Sequence, residues 1–226
     1  MAISSSTKSP GEAAVSRAPS LLVDITSIPP DVIKPLLDRY IYFVFGRGVM
    51  DRNCYGDTPL LEASFKGDES SVFMLLLHAK LYFSNDEAKK EQFLNATDHS
   101  KANAFHNAAN CESTSLMELL VDNLDKRLVN AIGKGGATPL LAATCFGNSK
   151  YIKILLSAGA DVAASDSSGL GPLHLAAVSL KQRCKLERTM QVLVDAGRTS
   201  NRQMITAKLH CILPVGKTTK LLFAFL

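Results

Sequence analysis

The sequence has no tryptophan, and aromatic residues make up only 7% of its 226 residues. Long apolar runs are also missing. The longest, YIYFVF and LLFAFL, are six residues each, whereas a membrane-spanning helix needs about 20, so we predict no transmembrane segment. Apolar residues nevertheless make up 46% of the chain, which is enough for the core of one or two soluble domains.

Metal-ligand and catalytic patterns are missing as well. The five cysteines stand far apart, with no CxxC and no paired His/Cys spacing, which argues against a zinc site. No histidine is placed to activate Cys111 or Cys145 as a nucleophile, and no paired-carboxylate spacing is present. We therefore predict no metal, no cofactor and no enzymatic activity.

The segment GKTT at 216–219 resembles the end of a phosphate-binding loop. That loop needs a glycine five residues earlier, and this chain has Cys211 there. We therefore predict no nucleotide binding.

The cysteines and the charge bear on location and partners. An odd, scattered set of cysteines in a chain with no secretory signal is typical of a reduced intracellular protein. We expect this protein in the cytoplasm, with the nucleus as the alternative.

The net charge of +4 is concentrated at one end of the chain. Residues 198–226 hold five Lys or Arg and no acid, so the charges of the remaining residues sum to −1. The body of the chain is therefore not predicted to bind nucleic acid.

A pattern recurs four times along the chain. Its reference position is occupied, at intervals of 45, 35 and 33 residues, by Thr58, Asn103, Thr138 and Gly171. Five residues later stands an alanine in every copy: Ala63, Ala108, Ala143 and Ala176. Two residues before the reference come Gly56, Lys101, Gly136 and Gly169. Nine residues before it stands an aliphatic residue in each copy. We call each such position, compared across the four copies, a column. Because all of these columns match at the same spacing, we interpret the repeat as real.

Each column has a physical reason. Proline in the first helical turn loses no hydrogen bond, since its position has no helical partner. The alanine indicates a close approach of two helices. Gly67 and Gly147 stand where one apolar period ends, as expected for a helix C-terminus that needs positive φ. One unit is thus a turn, a short helix, a tight reversal and a second helix. Helices this short must pack on neighbouring copies, which predicts a solenoid.

The motif T-P-L-H-x-A is written here as TPLLEA, NAFHNA, TPLLAA and GPLHLA, and with its period of about 33 residues it resembles the ankyrin repeat. The resemblance covers residues 49–197 and implies an all-α solenoid of four stacked helix-turn-helix units with β-turn finger loops. Three departures are expected to be irregular: the inserted segment around 80–92, the second unit with Lys101 and Glu112 in glycine slots, and the longer SLKQRCKLE of the fourth unit.

Both ends of the stack differ from the repeats. Residues 1–27, with six serines and one acid in the first 20, are predicted to be a disordered tail, with an organellar transit peptide as the alternative.

Residues 28–48 are predicted to form an N-terminal capping helix that ends at Gly46. Pro35 removes a hydrogen bond inside this helix, so either its regular part starts near Lys34 or the helix is kinked. The apolar residues assigned to one face are Val32, Ile33, Leu36, Leu37, Tyr40, Ile41 and Val44. Residues 198–226 are interpreted as a truncated fifth repeat, an unrelated tail or a membrane-surface segment.

The resemblance implies that His106 and His174 make structural hydrogen bonds near the turns. It also implies a concave partner-binding face formed by the turn tips and the exposed side of the first helices. The predicted partner-binding residues are Tyr55, Asp57, Phe65, Lys66, His99, Asn110, Lys134, Phe146, Leu170 and Val178. Several are apolar where solvent is expected, which indicates a partner site. The alternative is that the large ones fold back and shield the core.

We therefore expect a monomeric protein-interaction module, an adaptor or scaffold whose partner is another protein. The alternative is a regulatory arm or fragment of a larger enzyme or channel.

Overall fold

The structure is a computed structural model that describes residues 29–179 and 183–200. Within these ranges the regular elements are all helical, with no β-strand. The α-helices are α1 (Pro30–Phe45), α2 (Pro59–Lys66), α3 (Glu69–Tyr82), α4 (Glu87–Leu94), α5 (Ala104–Asn107), α6 (Thr114–Asn123), α7 (Pro139–Phe146), α8 (Ser149–Ser157), α9 (Pro172–Ser179) and α10 (Arg183–Ser200). Short 3-10 helices are Ala108–Asn110, Lys126–Asn130 and Lys134–Gly136. The predictions for 1–27 and 201–226 lie outside the described residues.

The helices form two layers. The first helices of successive units, α2, α5, α7 and α9, contact one another in chain order. The second helices, α3, α6, α8 and α10, form the other layer in the same order, and each also packs on the first helix of its own unit. The predicted all-α solenoid is confirmed. Helix α10 runs to Ser200, past the predicted domain end at Gly197. No helix in the described part of the chain is long and apolar enough to cross a membrane.

The first helices of the first and third units follow the sequence signals closely. Both begin with proline after a threonine N-cap, and both end at a glycine in the left-handed conformation, with φ of 72° at Gly67 and 70° at Gly147. At the second of these ends, the N–H of Gly147 donates to the Thr144 carbonyl at 3.0 Å. A side chain at these positions would be strained, because only glycine adopts positive φ freely.

The repeated alanine is buried in every unit. All four of these alanines are at most 1% exposed, which is expected where helix backbones approach too closely for a larger side chain. On the second helices, Leu120 and Leu155 are both fully buried. The layers are therefore held together by apolar burial at repeating positions, and not by the short helices themselves.

The capping helix α1 packs on α3, where the second helix of a preceding unit would lie. It is one continuous helix with Pro35 inside it, and Gly46 ends it with φ of 65°. Asp38 accepts a hydrogen bond from Nε2 of His78 at 3.0 Å and another from the Tyr82 hydroxyl. These bonds supplement the apolar contact between the two helices.

The predicted apolar face of α1 was too wide. Ile33, Leu37 and Ile41 are buried, whereas Val32 is 54% and Leu36 is 59% exposed. Val44 is also exposed. The reason is geometric: α1 meets a helix on one side, so only a narrow stripe of its apolar residues is covered.

The insertion and the second unit are irregular, as expected. The inserted segment includes α4. Its N-cap is Asp86, whose carboxylate accepts a hydrogen bond from the Lys89 N–H at 3.0 Å. The fully buried Phe93 anchors this helix to the core. In the second unit, α5 has only four residues and continues as the 3-10 helix Ala108–Asn110. The segment then extends at Cys111, so no left-handed residue is needed at Glu112.

Candidate partner-binding groove

The turns that precede the first helices are joined to one another through their backbones. The N–H of His99 donates to the Tyr55 carbonyl at 3.3 Å, and the N–H of Lys134 to the Ser100 carbonyl at 2.7 Å. The third link runs from the N–H of Ser167 to the Gly135 carbonyl at 2.8 Å. We use "the groove" for the surface formed by these turn tips together with the solvent-facing ends of α2, α7, α9 and the Ala108–Asn110 helix.

Each turn is stabilised in one of two ways: a side chain accepts hydrogen bonds from the N–H groups of the turn, or glycines adopt the left-handed backbone conformation. The Asp98 carboxylate accepts from the N–H groups of Ser100 and Ala102 at 2.7 and 2.8 Å, and Asn53 and Asp166 act in the same way in their own turns. The third unit has Gly133 at this position and lacks such an acceptor. It uses two left-handed glycines instead, Gly135 and Gly136, whereas each of the other three turns has one left-handed residue.

The glycines at the tips of the first and third turns lie close to the next turn. A Cβ on Gly56 would lie 2.9 Å from the backbone nitrogen of His99. A Cβ on Gly136 would lie 2.5 Å from the backbone nitrogen of Ser167. Lys101 holds the equivalent position of the second turn with φ of 58°, so it adopts the same left-handed conformation as the glycines of the other turns.

His106 and His174 are structural, as predicted. Nδ1 of His106 accepts from the Asn103 N–H at 3.3 Å, and its Nε2–H donates to the Ala137 carbonyl of the next turn at 3.0 Å. Burial lowers the pKa of His106, although the Ala137 carbonyl and the Asp98 carboxylate act in the opposite direction. Nδ1 of His174 accepts from the Gly171 N–H at 3.2 Å.

The predicted residues at the turn tips fall into two groups. Tyr55, with 72% of its surface exposed, faces solvent together with His99 and Lys134. Asp57 and Leu170 are half-buried, and Asp57 is engaged in its own turn, where its carboxylate accepts from Nδ2 of Asn53 at 3.3 Å. The first group can reach a partner without rearrangement.

The predicted residues at the ends of the first helices are exposed. Phe65 is 65%, Phe146 is 49% and Val178 is 71% exposed. Lys66 and Asn110 are exposed too, and Nζ of Lys66 lies 2.6 Å from Glu62. Apolar side chains left in water at one end of stacked helices are typical of a partner surface.

One pocket of about 320 Å³ lies at this end of the stack, between the second, third and fourth units. It brings together two of the predicted residues, Asn110 and Phe146. Four charged residues that were not predicted also line it: Glu112, Lys150, Lys185 and Arg188. They follow the first helices. Glu112 and Lys185 lie in segments that were predicted to be irregular and were not assigned to the binding face. Their polar positions between the apolar ones of each helix were the available signal.

In the described part of the chain, no group of three or more His, Cys, Asp and Glu side chains could hold a metal ion. Cys111 donates through its Sγ to the Ser64 carbonyl at 3.3 Å, and burial raises the pKa of this thiol. A thiol that is protonated and hydrogen-bonded to the backbone is a poor nucleophile.

Two comparisons bear on the family. Residues 81–166 and 105–204 match the sequence profile described as "Ankyrin repeats (3 copies)", and together these ranges cover more than half of the chain. The human transient receptor potential cation channel subfamily A member 1 is 32% identical over 147 residues. That match covers 65% of this chain and 12% of the human protein, so the chain corresponds to a small part of that relative's length.

Proposed function

The chain belongs to the ankyrin repeat family, and we propose that it is an adaptor or scaffold that holds another protein in its groove. Ankyrin repeats are in general protein-interaction modules. The observation that carries the proposal is the exposure of Phe65 and Phe146, two phenylalanines that face water from the same ends of two first helices. Aromatic anchors of this kind commonly contribute most of the binding free energy of an interface.

The proposal includes a monomer in the cytoplasm, where scattered cysteines stay reduced. The turn tips add polar contacts around the apolar anchors, with Tyr55, His99 and Lys134 reaching outward. This arrangement resembles the usual division of an interface into an apolar centre and a polar rim.

A second candidate function follows from the similarity to a segment of a cation channel. In that case the groove would dock a segment of a larger gene product that contains this stack. The mass of the protein in cells distinguishes the two candidates, because a larger product would migrate above the 24.4 kDa of this chain.

The test begins with a pull-down on the immobilised chain to identify a partner, whose affinity is then measured for two variants. The double variant Phe65→Ser/Phe146→Ser should lose about tenfold or more in affinity and keep its melting temperature, since both side chains are already exposed. Phe43→Ser is the matched control, because Phe43 is 87% exposed on α1, outside the groove.

Equal losses of affinity for the double variant and the control would indicate that the partner does not bind through the groove alone, but also contacts α1 at the N-terminal end of the stack. Normal binding by a folded double variant would exclude the groove, and the inserted segment around 80–92 would be the next candidate. Unfolding of the double variant would mean that the two phenylalanines belong to the core.

A further inference from the structure

The pocket next to Phe146 carries an imbalance of charge. Lys150, Lys185 and Arg188 surround it, and Glu112 is the acidic residue in its lining. All three cations are exposed, and none forms an ion pair within residues 29–179 and 183–200. The lining of the pocket therefore has three cations against one carboxylate, which is an excess of positive charge.

The corresponding end of the first unit is different. There Lys66, the residue after Phe65, and Arg47 both form ion pairs with Glu62, at 2.6 and 2.5 Å, so the two cations share one carboxylate. The three cations of the pocket have no such ion pair within the described part of the stack. A partner that distinguishes the two ends can do so by charge.

One of the two amides in the pocket is already engaged. Asn148 donates through Nδ2 to the Cys111 carbonyl at 2.5 Å, and its Oδ1 accepts from the Tyr151 N–H at 3.2 Å. The other amide, Asn110, is exposed, and the positive charge of the lining comes from Lys150, Lys185 and Arg188. Beside them, the half-exposed ring of Phe146 offers an apolar wall.

We infer that this pocket receives an acidic segment of the protein partner, with Asp or Glu carboxylates meeting Lys150, Lys185 and Arg188 and a neighbouring apolar side chain packing on Phe146. The inference rests on the proposed function and adds the chemistry of the partner to it. Charge-assisted bonds from lysine and arginine to carboxylates are stronger than neutral ones. The apolar contact adds affinity that salt does not screen.

The experiment selects short random peptides on the immobilised chain and sequences those that are retained. The tightest peptide is then titrated against the wild type, the reversal variant Lys150→Glu/Lys185→Glu/Arg188→Glu and the milder triple glutamine variant. Lys153→Glu is the matched control, since Lys153 is an exposed lysine on the same helix that does not line the pocket. Melting curves establish that each variant is folded.

We expect the retained peptides to be enriched in Asp and Glu beside an apolar residue. Affinity should fall about tenfold or more in the reversal variant, fall less in the glutamine variant and change less than about twofold in Lys153→Glu. Added salt should weaken wild-type binding more than binding by the glutamine variant.

Four results would overturn the inference. Retained peptides without acidic enrichment that still lose binding in Phe65→Ser/Phe146→Ser would keep the groove as a binding site and remove this pocket's role. Acidic peptides that bind the reversal variant normally would locate their site elsewhere. A single-stranded oligonucleotide that displaces the peptide and loses binding in the reversal variant would identify a phosphate site for nucleic acid. If no peptide is retained at all, both this inference and the proposed function fail.

Discussion

The second and third units build the same first helix in two different ways. In the third unit α7 runs over eight residues, from Pro139 after its Thr138 cap to a left-handed Gly147. In the second unit Asn103 and His106 form a reciprocal capping box, α5 ends after four residues and a 3-10 turn completes the segment. The local hydrogen bonds at both ends of the helix therefore differ.

The packing is nevertheless the same. The repeated alanine is 1% exposed in the second unit and fully buried in the third, and the residues three positions before it, Phe105 and Leu140, are at most 1% exposed. The comparison teaches that the contacts between layers are kept at fixed positions, whereas the helix ends vary with whatever caps the local sequence offers. Stability of the stack should accordingly be shared between the two units.

The largest expected effect is in the second-helix layer. Leu120 and Leu155 occupy the same position of the second and third units, and both are fully buried. Leu120→Ala and Leu155→Ala should each lower the free energy of unfolding by about 2–5 kcal/mol, measured by urea denaturation. Ile132→Ala, at a side chain that is 67% exposed, should change it by less than about 0.5 kcal/mol. A much smaller cost for Leu120→Ala would mean that the irregular unit is loosely packed.

A smaller effect concerns the histidine that the third unit lacks. His106→Leu places in the second unit the residue type that Leu141 provides in the third. It should cost about 1–3 kcal/mol at pH 7.5, since the N–H of Asn103 and the Ala137 carbonyl lose a buried partner.

The pH dependence of the stability of His106→Leu tests the same difference between the second and third units. Burial lowers the pKa of His106 in the folded chain, so the unfolded chain binds the proton more readily. Wild-type stability should fall as the pH drops below about 6.5, the ordinary histidine pKa. Burial also lowers the pKa of His78, which adds to the same decline. The loss of stability between pH 7.5 and 5.5 should be smaller in His106→Leu. A slope equal to that of the wild type would contradict this assignment.

The periodic features could be read from the sequence because each is specified by one residue at a fixed position. The left-handed turn at Lys101 is an example, since the sibling glycines of its column indicate the backbone conformation. The buried alanines and the helix ends at Gly67 and Gly147 follow in the same way.

The end of α5 could not be read in this way. Asn148 of the third unit donates to the Ala109 and Cys111 carbonyls at 3.4 and 2.5 Å, so a residue far along the chain satisfies the groups that a local cap would otherwise satisfy. The pocket beside Phe146 has the same origin, because Lys185 and Arg188 reach it only through the packing of α10 on α8. Contacts like these, made by side chains outside the repeated positions, leave no periodic signal.

The smallest expected effect is at Lys101, where the second turn keeps a side chain that the other turns avoid. Its φ of 58° costs a residue with a Cβ about 1 kcal/mol, and Lys101→Gly removes that strain. The added flexibility of glycine in the unfolded chain offsets about half of the gain or more. We expect a net stabilisation of a few tenths of a kcal/mol, seen as a higher urea midpoint. Lys134→Gly is the matched control, since Lys134 is an exposed lysine at the next turn tip without positive φ, and it should lower the midpoint. If Lys101→Gly lowers the midpoint as much as Lys134→Gly does, the second turn carries no strain at Lys101, and its left-handed conformation is compensated by the neighbouring turns.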